Sequence, residues 1–147
     1  MTTTRVAEDV AGSPSSRRSA RRAAVFLLYQ RDLTDIDLDE LIENAERSSG
    51  ILDDFTSLLA EGVAATQDDL DRLIGRASND WAVDRIAPLE RNIMRVAAFE
   101  LHEVDEVPDA VAIDEAVRLA KRYCQPEASS LVNGILGRIA REAGSGA

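Results

Sequence analysis

Apolar residues along this chain recur at helical spacing, and almost nowhere do they alternate as a strand would. The first run opens near Ser15–Arg18, where serines suit a helix start, and carries two apolar rows. Ala20, Ala24, Leu27 and Leu28 form one row; Val25, Phe26, Tyr29 and Leu33 form a second, rotated about the axis. A helix apolar on two sides is either central in a bundle or keeps one side for a partner. Asp37-Leu38-Asp39-Glu40 has the form of a capping box, and Gly50 suits a left-handed helix end.

A long run follows, through Ile51, Phe55, Leu58, Leu59, Gly62, Val63, Thr66, Leu70, Leu73 and Ile74. Helical spacing persists across it, and Gly62 predicts a close approach of two helices. After Ser78-Asn79-Asp80, a short apolar turn (Trp81, Val83, Ile86) leads to Ala87-Pro88, which suits proline at a first helical position. The next helix sets Leu89, Ile93, Val96, Ala97 and Leu101 on one face, widened by Met94 and Ala98, and ends before Val107-Pro108. Asp109 is the expected cap of a helix that sets Val111, Ile113, Ala116, Val117, Ala120 and Tyr123 on one side. Past Gln125-Pro126, a last helix buries Leu131, Val132, Ile135, Leu136 and Ile139. Within it, Asn133-Gly134 predicts a second crossing point, with Asn133 either hydrogen-bonding across it or serving a functional contact. The pattern describes an all-α chain: a leader over residues 1–16 without periodicity, a helical region 17–143 and a frayed end at 144–147.

Composition agrees with one domain. The chain has 147 residues, 45% of them apolar and only 4% aromatic, enough to build a core without staples. Cys124 stands alone, which excludes an internal disulfide, and a lone His102 cannot build a metal site with it. No apolar run approaches the ~20 residues of a membrane span, and AAVFLL is too short for a signal peptide. A cytoplasmic protein is expected. Carboxylate pairs such as Asp53-Asp54 and Asp68-Asp69 read as helix surface in so acidic a chain. No phosphate-cradling glycine loop or Ser-His-Asp set is present, so neither a catalytic residue nor a cofactor is expected.

Charge changes the picture more. The net charge is −10, yet residues 1–22 hold five arginines against Glu8 and Asp9. Such asymmetry suggests a basic arm on an acidic body. Arg17, Arg18, Arg21 and Arg22 lie on one side of the first two helical turns, and guanidinium forks suit phosphate oxygens. If all four met phosphates, single-stranded RNA binding would carry a log–log salt slope of about −3. Acidic protein surfaces are the alternative target.

Taken together, several segments resemble the NusB family of transcription antitermination factors. They are Arg18-Ser19-Ala20-Arg21 leading to Leu28-Tyr29-Gln30, Trp81 with Arg85, Leu89–Arg95 followed by Ala97–Leu101, Val111–Val117 with Leu119-Ala120-Lys121, and Leu131–Leu136. The resemblance spans Arg17 to Arg141 and implies a compact bundle of about seven helices in two packed subdomains, about 17–78 and 79–143. It implies a non-enzymatic factor that binds single-stranded boxA-type RNA of ribosomal leader transcripts. The implied partner is a small-subunit ribosomal protein in the role called NusE, in a complex with NusA, NusG and RNA polymerase. On the same basis, RNA contacts fall at Arg17, Arg18, Arg21, Arg22, Leu131 and Asn133, and partner contacts at Phe26, Tyr29, Leu33 and Glu90. Where some relatives carry an aromatic, this chain has Leu131. The second apolar row could equally pair with a second copy. A regulatory domain like that of RNA cytosine methyltransferases is the alternative reading, although no cofactor-binding half follows.

Overall fold

A computed structural model describes residues 14–79 and 83–146; Trp81 and the leader up to residue 13 lie outside them. Among the described residues the chain forms six α-helices and one 3-10 turn: α1 (Pro14–Thr34), α2 (Leu38–Ser49), α3 (Asp54–Ala77), the turn Val83–Arg85, α4 (Pro88–Glu103), α5 (Asp109–Tyr123) and α6 (Ala128–Gly146). The all-helical expectation holds. Two bounds move: α1 already begins at Pro14, inside the expected leader, and α6 continues through Gly146.

The central element is α4, on which Asn92 through Glu100 are all buried. A helix buried on every side must be surrounded, and α1, α3, α5 and α6 all pack against it. Contacts fix the directions. Arg21 reaches Glu100 while Asp32 reaches Asn92 and Arg95, so α1 runs antiparallel to α4. Thr56 donates to the Ala20 carbonyl, and Arg31 to Gln67, so α1 and α3 run in the same direction. Two consecutive long helices can be parallel only if the chain returns between them, and α2 makes that return.

Local signals explain most boundaries. Gly50 ends α2 at φ 89°, a conformation that costs a residue with a Cβ. Pro88 starts α4, and the Asp53 carboxylate accepts from the Phe55 amide at the start of α3. Gly62 is a close approach, as expected, since a Cβ there would overlap the ring of Phe99 on α4.

Other expectations fail for identifiable reasons. Asp37 precedes α2 but its side chain caps nothing, and Pro108 rather than Asp109 occupies the cap of α5. The long third run does form a helix from Asp54 to Ala77, but a bent one. Ile51 precedes it, 90% exposed, and Thr66 leaves helical geometry at φ −121°, ψ 20°. The Thr66 hydroxyl donates to the Gly62 carbonyl at 2.8 Å, a back-bond that bends helices. Gly134 is the converse of Gly62: nothing lies within 4 Å of where its Cβ would be, so α6 has no crossing there.

Candidate functional site

Four arginines of one chemical type enter four different surroundings at the start of α1. Arg21 turns inward and is 3% exposed. Its Nε donates to both Glu100 oxygens at 2.9 Å, and its Nη2 lies 2.8 Å from Oε1. This removes Arg21 from the expected exposed fan, because the Glu100 carboxylate inside the bundle claims it. Burial pushes the Glu100 carboxyl above the usual range, and the Glu115 charge adds to this; Arg21 and Arg17 pull it back only in part. Arg17 is half-buried, its guanidinium 4.6 Å above the ring of Phe55.

Arg18 and Arg22 remain at the surface. The Arg18 side chain is 45% exposed, and its Nε donates to the Glu115 oxygens at 3.0 and 3.2 Å. Glu115 is itself buried in the seam between α1 and α5.

The second apolar row also divides. Val25 is 1% exposed and belongs to the core, which corrects its assignment to a spare face. Phe26 and Tyr29 are half-buried, and Leu33 is 58% exposed. Phe26 meets Tyr29 edge-on at 6.2 Å and Tyr123 of α5 edge-on at 5.0 Å. Tyr123 and Val111, expected on the core side of α5, are instead at its surface, while Ala112, Glu115, Ala116 and Ala120 point inward. Small residues let α5 lie close to its neighbours, and the larger side chains go outward. Periodicity alone missed Tyr123; a lone tyrosine at the end of an alanine-rich helix was the available signal.

Glu90 sits in the first turn of α4, half-buried. Burial and the neighbouring Glu127 charge push its carboxyl up, and burial together with Glu90 pushes the Cys124 thiol up. Glu90 also lines a groove of about 540 Å³ with Arg85, Leu131, Gly134 and Arg138. Leu131, expected in the core, is 42% exposed there, and Asn133 is exposed as well. None of the α1 arginines lines this groove, so the structure does not bring the two expected sets of RNA residues into one pocket.

His102 is exposed. Among the described residues no group of three His, Cys, Asp or Glu side chains could hold a metal ion, and no helix is long and apolar enough to cross a membrane. The arrangement offers hydrogen-bond donors, cation and apolar surface.

The sequence matches the profile of the NusB family over residues 18–141. The transcription antitermination protein NusB of Bacillus subtilis (strain 168) is 40% identical over 123 residues, covering 84% of this chain and 93% of that one. The solved structure of T. maritima NusB superposes with a TM-score of 0.77 at 32% identity, covering 86% of this chain and 91% of that one. A further structure, described as antitermination factors NusB and NusE in complex with double-stranded RNA, contains a chain with a TM-score of 0.79. At 24% identity, covering 88% of this chain and 99% of that one, it shows the shared fold.

Proposed function

The chain belongs to the NusB family, and we propose that it serves as an RNA-binding transcription antitermination factor working with a ribosomal protein. The RNA is of the single-stranded boxA type, and the protein partner is the small-subunit protein acting as NusE. Together they would join NusA, NusG and RNA polymerase. The structural neighbour described with NusE and double-stranded RNA supports RNA and NusE as partners, and the name of the B. subtilis relative supports the antitermination role.

One observation carries it: α1 presents guanidinium groups at its first turns and uncovered apolar surface further along the same helix. Arg18 and Arg22 are exposed, and phosphate oxygens suit their forks. Leu33, with the half-buried Phe26 and Tyr29, offers rigid aromatic and aliphatic anchors for a protein. Glu90 adds an anionic contact suited to a basic ribosomal protein. Leu131 and Asn133 stand exposed on α6 as a second RNA contact, where leucine packs against a base but stacks poorly.

The test is to mix the protein, a NusE-type ribosomal protein and boxA-type RNA, and to measure which binary and ternary complexes form. The expected result is a ternary complex that outlasts either pair, weakens as salt rises, and loses the ribosomal protein in Tyr29→Asp. Equal binding of scrambled RNA, or partner binding untouched by Tyr29→Asp, would refute the assignment. A homodimer through the same row would appear as twice the chain mass, replaced by a one-to-one complex when the ribosomal protein is added.

A further inference from the structure

The basic surface does not stop at α1. Glu115 of α5 lies within 4 Å of two guanidiniums from different helices: Arg18 Nε at 3.0 Å and Arg118 Nε at 3.9 Å from the same Oε1. The carboxylate is nearly hidden, its side chain 11% exposed, while those of Arg18 and Arg118 are 45% and 59% exposed. Both hydrogen bonds from Arg18 to Glu115 come from Nε.

We infer that Arg18 and Arg118, held by the buried Glu115 between them, form a two-helix phosphate site that carries the RNA track from α1 onto α5. This rests on the RNA-binding reading given above.

Three observations support it. Nε bonding to a carboxylate restrains a guanidinium whose side chain is still 45% exposed, so less side-chain entropy remains to be lost on binding. Three guanidiniums (Arg18, Arg21, Arg118) are gathered about two carboxylates, Glu100 and Glu115, so the cluster keeps an excess of positive charge. Asp114, the exposed acid one turn before Arg118, forms no ion pair with it among the described residues. The cluster stands out because the chain as a whole carries −10.

The test measures affinity for a single-stranded boxA-type RNA as a function of salt for the full chain and for Arg118→Ala, Arg118→Lys and Arg18→Ala, with circular dichroism melts as the folding control. Each lost phosphate contact reduces the steepness of the log–log salt slope by about 0.7. Arg118→Ala is expected to show that reduction with an unchanged melt, Arg18→Ala a similar one, and Arg118→Lys to restore the slope. An unchanged slope in Arg118→Ala, with Arg18→Ala still reducing it, overturns the two-helix site and leaves RNA binding by α1 intact. Salt-independent or absent RNA binding by the unsubstituted chain overturns both.

Discussion

The two ends of α1 are fastened to the same helix by ion pairs, yet they hold charge in opposite ways. At the C-terminal end, Asp32 Oδ2 accepts from Arg91 Nε at 3.0 Å, Asn92 Nδ2 at 2.9 Å and Arg95 Nη1 at 3.1 Å. Arg95 is in turn gripped by both oxygens of Asp71 at 2.8 and 2.9 Å. Burial pushes Asp32 up, but the hydrogen bonds of Asn92 and Arg91 and the charges of Arg95 and Arg91 outweigh it and hold the carboxyl below its usual range. At the N-terminal end burial wins, and Glu100 sits above its usual range despite Arg21. One end is an anion enclosed by donors; the other is a group of cations short of anions. The difference separates a carboxylate held by its donors from one held back by burial, and the proposed RNA contacts fall at the second end.

The largest break should come from Arg21→Ala. Removing one member of a buried pair leaves the other uncompensated, at a cost of about 3–5 kcal/mol. Urea unfolding at neutral pH should show that loss, and acidification should recover part of it. The sign follows from Glu100: with its folded pKa raised, its contribution is fully present below the unfolded pKa and is lost as pH rises through the folded value. Replacing Arg21 and Glu100 together by apolar residues of similar volume should restore most of the stability.

Asp32→Asn should cost less, about 2 kcal/mol, since the amide can still accept one hydrogen bond. Its pH dependence should be opposite. A depressed carboxyl contributes stability above its unfolded pKa and loses it as pH falls through the folded one, so Asp32→Asn should flatten the acid side of the stability profile. Parallel pH profiles for the Arg21 and Asp32 variants would erase the contrast.

Arg18→Ala should change unfolding free energy by about 1 kcal/mol, because Arg18 is itself half-exposed and screened while the buried Glu115 keeps Arg118 3.9 Å away. Leu33→Ser should change it by less than ~0.5 kcal/mol, since Leu33 is 58% exposed. Binding of the ribosomal partner, read by calorimetry, should nevertheless weaken sharply in Leu33→Ser.

Much of this organisation was legible in the residues. Gly50, Gly62 and Pro88 marked a helix end, a close approach and a helix start, because each signal acts within a few residues or demands a missing side chain. The buried polar network was not legible. Asn92, Arg95 and Glu100 interrupt the apolar row of α4 and look like a solvent face, yet their partners stand on α1 and α3, distant in sequence. Arg21 was unreadable for the same reason: nothing local separates it from Arg18 or Arg22. The aromatic strip was half legible, since Phe26, Tyr29 and Leu33 share a side, while Tyr123 joins them only once α5 lies against α1.

The central claim is that α1 separates an RNA end from a protein-binding side. Arg18→Ala/Arg22→Ala and Leu33→Asp, each measured against boxA-type RNA and against the NusE-type protein, test it most directly. The account predicts a double dissociation: the arginine variant loses RNA and keeps the protein, and the leucine variant keeps RNA and loses the protein. If both variants lose the same ligand, or neither loses any, the division of α1 is wrong.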